Sequence, residues 1–138
     1  MTRAALLLLL GVACATHVDR PAARPDVEFE RARVDGTLAR IVDLARAGKT
    51  SREIHERYGE HYVTALEGGA LRVTVWAEPE REVTFSRVAA AIERLGGVVL
   101  EGTEGVVRAR LSLDQVGELS RDPSVRKLRI TRHHDPIR

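Results

Sequence analysis

The order of two hydrophobic periodicities in the carboxy-terminal half constrains the fold of this chain more than any other feature. Residues 71–77 alternate apolar and polar side chains, which is typical of a half-buried strand. Residues 83–95 then repeat apolar side chains at helical spacing, and Gly96 and Gly97 end this predicted helix. The remaining predicted elements are strands over 98–100, 106–111 and 125–130, and a helix between Leu113 and Pro123 that begins with a capping box of Ser112 and Gln115. The predicted order is therefore β-α-β-β-α-β.

This order predicts an α+β fold of the ferredoxin-like type. Because each strand-helix-strand passage crosses over right-handedly, both helices are expected on one face of a four-stranded sheet. The other face is then either offered to a partner or covered by the helices that precede the module. Its predicted side chains are mostly basic, with a single aromatic ring: Arg72, Thr74, Trp76, Arg108, Arg110, Lys127 and Arg129.

A helical hairpin is predicted over residues 37–70, before this module. Gly48 is placed to end its first helix. Thr50 and Glu53 have the spacing of a capping box, in which each side chain satisfies a free backbone N–H of the other residue. Apolar side chains at helical spacing then predict a second helix that runs as far as Leu66.

The first 15 residues have the organisation of an export signal. A basic start precedes an apolar run over residues 4–12, which is far too short to span a bilayer. Two processing routes stay open: cleavage after Ala15, or lipidation of Cys14 in a segment that is similar to a bacterial lipobox. Either route predicts an extracellular or envelope protein that meets a membrane only through the signal or the lipid. Residues 16–36 are predicted to be a flexible tether.

Composition and motifs exclude several functional classes. There are 22 basic and 20 acidic residues, and a net charge of +2 gives no general attraction to nucleic acid or membranes. A single cysteine excludes an intramolecular disulfide and a cysteine-based metal site. None of the five histidines stands in a recognisable nucleophile motif, and no phosphate-binding loop is present. We therefore expect no catalytic residues, no metal, no cofactor and no nucleic-acid partner.

Three stretches of the carboxy-terminal half carry a family resemblance. One has a Leu-Gly-Gly before the second strand of the module, and another has an Asp-Pro turn before the last strand. The stretches are 71–76, 91–99 and 107–128. Over about residues 71–131 the chain resembles the propeptide-like, ferredoxin-like N-terminal domains of bacterial subtilisin-like serine proteases. The 138 residues contain no catalytic domain after the module, so we expect the domain to act in trans or to have lost the role.

The resemblance implies a mode of action. In that family the open sheet face packs against two surface helices of the protease, which here assigns partner contacts to Arg72, Trp76, Arg108, Arg110, Lys127 and Arg129. The segment after the last strand enters the active-site cleft as an extended strand, held by backbone hydrogen bonds. Here that segment is the tail over residues 132–138, with His133, His134, Asp135, Ile137 and Arg138 as the inserting residues.

Three hypotheses for function follow from these observations. The first is an exported, non-enzymatic domain that inhibits a subtilisin-like protease in trans or helps it to fold. The second is an interaction or structural module of the envelope, with no protease partner and with its sheet face already occupied. The third is a weak single-stranded nucleic-acid binder that stacks bases on Trp76. Burial of Trp76 would favour the second hypothesis over the first.

Overall fold

The alternating segments of the sequence form one antiparallel sheet. A computed structural model of the chain describes residues 20–103 and 105–134. In this part the strands are β1 (Thr64–Glu67), β2 (Ala70–Pro79), β3 (Val98–Thr103), β4 (Val106–Leu111) and β5 (Val125–Ile130). The α-helices are α1 (Gly36–Arg46), α2 (Ser51–Tyr58), α3 (Phe85–Arg94) and α4 (Leu113–Ser120). The predicted α+β class is confirmed, with the strands and helices expected after residue 70.

Strand β2 is the centre of the sheet. It pairs with β4 along one edge, and β4 pairs with β3 on its far side. Along its other edge, β2 pairs first with β1 and then with β5. All of these pairings are antiparallel. The ten residues of β2 are long enough to hold two short strands end to end on one edge, which explains why five strands make a sheet only four strands wide.

The two faces of the sheet differ in what covers them. On one face, which we call the helix-covered face, apolar strand side chains join apolar side chains of all four α-helices in a single buried cluster. The strand residues of this cluster include Val73, Val75, Ala77, Val107, Ala109 and Leu111. Because strand side chains alternate between faces, the intervening residues of β2, β4 and β5 point the other way, onto what we call the charged face.

Side-chain caps fix where the helices begin. The capping box predicted at Ser112 is confirmed: its hydroxyl accepts a hydrogen bond from the Gln115 backbone N–H at 3.2 Å, and the Gln115 side chain accepts one from the Ser112 N–H at 2.9 Å. At Thr50 the first half of the predicted box forms, with the hydroxyl accepting from the Glu53 N–H at 3.2 Å. The Glu53 carboxylate instead lies 3.2 Å from the Thr50 hydroxyl.

The structure corrects the predicted extent of the second helix of the hairpin. Helix α2 ends at Tyr58, and strand β1 occupies residues that were expected to be helical as far as Leu66. The backbone of Val63 explains the difference, because its N–H donates to Thr131 and its carbonyl accepts from Thr74. Pairing with β2 and with the segment after β5 therefore overrides the helical spacing of the apolar side chains, which is a local signal.

The structure also differs from the predicted flexible tether. Residues 20–35, which we call the N-terminal strap, cross the outside of the helices and then pair with the outer edge of β5. Val27 is 1 % exposed, and the strap passes so close to α4 that only Gly117 fits beneath the Glu28 carbonyl. Small and apolar side chains therefore pack this segment onto the fold, which its prolines alone did not predict.

The predicted export signal lies outside the described residues, as does Cys14. Within residues 20–103 and 105–134, no helix combines the length and the hydropathy that crossing a bilayer requires.

Candidate functional site

Strand register brings the six predicted partner-contact residues onto one surface. Trp76 on β2 lies opposite Arg108 on β4 and opposite Arg129 on β5. Two residues before Trp76 on β2, Thr74 lies opposite Arg110. Two residues after it, Glu78 lies opposite Lys127. Arg72 continues the row toward β1. The charged face is therefore a continuous row of long polar side chains around one buried indole ring.

Each of four arginines on the charged face forms an ion pair with a glutamate. The glutamates lie on β1, β2 and β3. The pairs are Arg108–Glu101 at 3.1 Å, Arg110–Glu67 at 3.1 Å, Arg72–Glu67 at 3.5 Å and Arg129–Glu78 at 2.7 Å. Five basic side chains set against three acidic ones leave this face a net charge of +2. It is therefore much less basic than its arginines alone predict.

The three glutamates were missed by sequence reasoning. They lie between 5 and 51 residues from their arginine partners, in a chain with 20 acidic residues, so composition did not single them out. Only the register of the sheet could have found them, since Glu101 pairs directly opposite Arg108 across β3 and β4. Partly exposed pairs of this kind contribute about 0–1 kcal/mol each to stability.

Trp76 is a buried platform and does not protrude from the sheet. It is the only tryptophan of the chain, it is 9 % exposed, and it is not part of the buried cluster beneath the helices. The guanidinium carbon of Arg108 lies 5.7 Å from the ring centroid, within the range of a cation–π contact. The buried Nε of Arg108 has no hydrogen-bond partner among the described residues. The ring and the guanidinium therefore stabilise each other's position.

A half-open cavity of about 560 Å³ adjoins Trp76, and we call it the Trp76 cavity. Its walls come from the charged face, from the start of α1 and from the segment before β1. They include Asp35, Thr37, Arg40, Tyr62, Trp76 and Arg129. Sequence reasoning had placed only Trp76 and Arg129 at a functional surface. The other residues were missed because no local pattern shows that a helix start lies beside the last strand.

Asp35 joins the start of α1 to the edge of the sheet. One carboxylate oxygen accepts from the Leu38 N–H at 2.7 Å and caps the helix. The other accepts from the Ile130 N–H at 2.7 Å, which satisfies a donor on the outer edge of β5. Both oxygens therefore have structural hydrogen bonds, and the carboxylate serves to hold the wall of the Trp76 cavity in place.

The chain stays bound to the fold after β5 ends. The carbonyl of Thr131 accepts from the Val63 N–H at 2.8 Å, and the His133 N–H donates to the His61 carbonyl at 3.1 Å. The His133 ring nitrogen Nε2 lies 2.7 Å from the Gly59 carbonyl. Of the predicted inserting residues, His133 is thus held, His134 is exposed, and Asp135, Ile137 and Arg138 lie outside the described residues.

The remaining chemistry of the described residues is sparse. No group of three or more histidine, cysteine, aspartate or glutamate side chains among them could hold a metal ion. The hydrogen bond and the negative charge of Asp43 raise the pKa of Arg31, and both side chains lie at the surface, where the pair has no evident chemical use. The charged face and the Trp76 cavity are therefore the features from which function can be argued.

Comparisons of the chain with protein-family models, with curated proteins and with solved structures found no match. The likeness to subtilase propeptide-like domains therefore depends on the residues quoted above.

Proposed function

We propose that the chain is an exported protein-binding domain of the ferredoxin-like type, which docks through its charged face. The antiparallel order β5-β2-β4-β3 supports the fold assignment, because α3 and α4 lie in the two strand-to-strand crossovers of that order. In this assignment β1 is an additional strand at the edge of β2. The resemblance to propeptide-like domains supplies the partner: a subtilisin-like protease that the domain inhibits or helps to fold.

One observation carries the proposal: the four helices lie against one face of the sheet, and the paired charges cover the other. The ion pairs connect different strands of the sheet, so the surface that a partner would meet is already ordered. These side chains of the charged face then lose little conformational entropy when a partner binds, which favours specific docking. Charges arranged in this way contribute to orientation and partner choice more than to raw affinity.

The hydrogen bonds of His133 limit how the tail could act. Because the chain is held as far as this residue, cleft insertion uses Asp135, Pro136, Ile137 and Arg138. A deletion that begins at Asp135 removes these residues without touching the hydrogen bonds made by Thr131 and His133.

The test is inhibition of a subtilisin-type protease by the full chain, followed with a chromogenic peptide. We expect saturable inhibition that Arg110→Gln combined with Arg129→Gln weakens about tenfold or more, since these arginines lie on the proposed interface. Arg87→Gln combined with Arg94→Gln is the matched control, because both arginines are exposed on α3. Absence of inhibition, or equal loss in both double variants, contradicts the proposal.

The deletion that begins at Asp135 separates the two parts of the mechanism. If docking and insertion act together, the deleted chain still binds the protease in a pull-down or titration but no longer blocks hydrolysis. If the deleted chain inhibits as well as the full chain, cleft insertion is wrong and docking of the charged face alone accounts for inhibition.

A second candidate is an envelope module with no protease partner. The burial of Trp76 favours this candidate, because a sheet face whose central ring is already covered gains less from covering by a partner protein. Quenching of Trp76 fluorescence by acrylamide distinguishes the two, since docking of a protease would reduce quenching and the second candidate predicts no change. The nucleic-acid hypothesis gains no support, because the ring is covered and most neighbouring arginines are paired.

A further inference from the structure

We propose that the Trp76 cavity is a binding site for a carboxylate attached to an apolar body. The inference goes beyond docking of a protease, because a ligand of this kind can bind whether or not the charged face meets a partner protein.

The charges around the cavity favour an anion. Arg40, Arg129 and Arg132 line it, whereas Asp35 is the acidic residue among the lining side chains. Both oxygens of Asp35 accept backbone hydrogen bonds, so its charge is partly offset by N–H dipoles. Arg129 shares its charge with Glu78 at 2.7 Å. The lining is therefore positive, and a carboxylate is the small anion whose geometry a guanidinium group matches best.

Arg40 is the residue best placed to bind the carboxylate. It is exposed on α1 and forms no ion pair with any other described residue. A ligand can therefore engage its guanidinium without breaking an ion pair within the described part of the chain. The hydroxyls of Thr37 and Tyr62, 3.3 Å apart on the same lining, offer further hydrogen bonds to the anion.

The apolar part of the lining indicates what the carboxylate is attached to. Val106 contributes aliphatic surface to the cavity, and the mostly buried side chains of Trp76 and Ile130 present only their exposed edges to it. A volume of about 560 Å³ lies within the range of ligand pockets, and it suits a molecule the size of an acylated amino acid or the end of a peptide. An inorganic anion would leave this surface uncovered, so an apolar acid is the better fit.

Two sources can supply this chemistry: a terminal carboxylate, as in an acylated amino acid or a peptide end, and the side-chain carboxylate of an internal glutamate. Trp76 reports on both, because it lines the cavity and is the only tryptophan. The full chain is titrated with N-acetyl-phenylalanine, with N-acetyl-phenylalanine amide, and with a terminally blocked peptide that contains one glutamate between apolar residues.

We expect a saturable change of Trp76 emission with the free acid and at least tenfold weaker binding of the amide, since the amide lacks the charge. Binding of the blocked peptide would assign the site to internal glutamates, and failure of that peptide would assign it to terminal carboxylates. Equal responses to acid and amide overturn the proposal, as does the absence of saturation with all three probes up to about 10 mM.

Two variants of α1 test the role of Arg40 with little risk to the fold. Arg40→Gln is expected to weaken binding of the free acid about tenfold or more, because a charged hydrogen bond is lost. Arg46→Gln is the matched control, since it is exposed on the same helix and does not line the cavity. Equal affinities of the two variants contradict the assignment. Protease inhibition by Arg40→Gln, measured in parallel, keeps failure of this site distinct from failure of the docking proposal.

Discussion

Replacement of Gly117 by alanine tests whether the N-terminal strap is an integral part of the fold. A Cβ at this position would lie 2.4 Å from the Glu28 carbonyl oxygen and 3.0 Å from Cγ2 of Val27. Ordinary carbon–oxygen contacts are about 3.3 Å or longer, so the strap backbone would have to move by almost 1 Å. The obstacle is backbone, which cannot turn away as a flexible side chain can.

The expected magnitude follows from two opposing effects. Alanine favours the helix over glycine by about 1 kcal/mol. Overpacking costs about 1–3 kcal/mol, and if the strap detaches instead, exposure of Val27, which is 1 % exposed in the fold, costs about 1.5–3 kcal/mol. Because the cost of relieving the clash exceeds the gain in helix propensity over most of this range, we expect Gly117→Ala to lower the free energy of unfolding by up to about 2 kcal/mol, or Tm by several degrees.

The assay is urea denaturation followed by circular dichroism, with hydrogen exchange to locate the change. The Glu30 N–H donates to the Ser120 hydroxyl at 2.8 Å, so strap movement should speed its exchange while amides in the central strand β2 keep their protection. Gly36→Ala is the control, because it lies at the start of α1 with nothing within 4 Å of the added methyl group. Equal or greater stability of Gly117→Ala than of the unmodified chain would refute the close crossing.

Three further substitutions have distinct expected outcomes in the same denaturation assay. Asp35→Ala should destabilise the fold by about 2–4 kcal/mol, because it removes a helix cap and leaves the Ile130 N–H without its acceptor. A loss below about 1 kcal/mol would contradict this double role. Ser51→Ala should cost about 1–3 kcal/mol, since the fully buried hydroxyl accepts from the Leu71 N–H at 3.0 Å; an unchanged midpoint would count against it. Glu67→Gln should cost at most about 1 kcal/mol although it contacts two arginines, because the pairs are partly exposed; a loss above 2 kcal/mol would show that they act as a network.

The sequence predicts the elements whose local signals agree with their tertiary surroundings. The alternation around Val75 corresponds to a strand, although Thr74 and Trp76 on its polar side are buried as well, and the box at Ser112 corresponds to a real helix start. The helix predicted from Tyr62 to Leu66 is wrong because its apolar spacing fits a helix, while its backbone groups pair with β2 across a tight hairpin and with the segment after β5. A periodic pattern reports which side chains are apolar, and it does not report which backbone partners are available.

The candidate site divides in the same way. Period-two alternation was enough to predict that Trp76 and Arg108 share a face, because each residue's face depends only on its own strand. It could not predict that Glu101 neutralises Arg108, which requires the register between β3 and β4, including the irregularity between Val99 and Glu101. Sequence reasoning therefore overestimated the positive charge of this face. The cavity wall formed by the start of α1 was missed entirely, since it depends on how α1 meets β5.

The pairing of charges determines what kind of contact the charged face can make. Each arginine that binds a glutamate has part of its hydrogen-bonding capacity satisfied before a partner arrives, so a partner gains less from it than from a free guanidinium. Arg110 and Arg129 contribute chiefly to orientation in such a contact, whereas Arg40, at the edge of the Trp76 cavity, forms no ion pair with another described residue. Strong binding at this surface is therefore expected where an anion reaches Arg40, and selectivity is expected along the row of paired arginines.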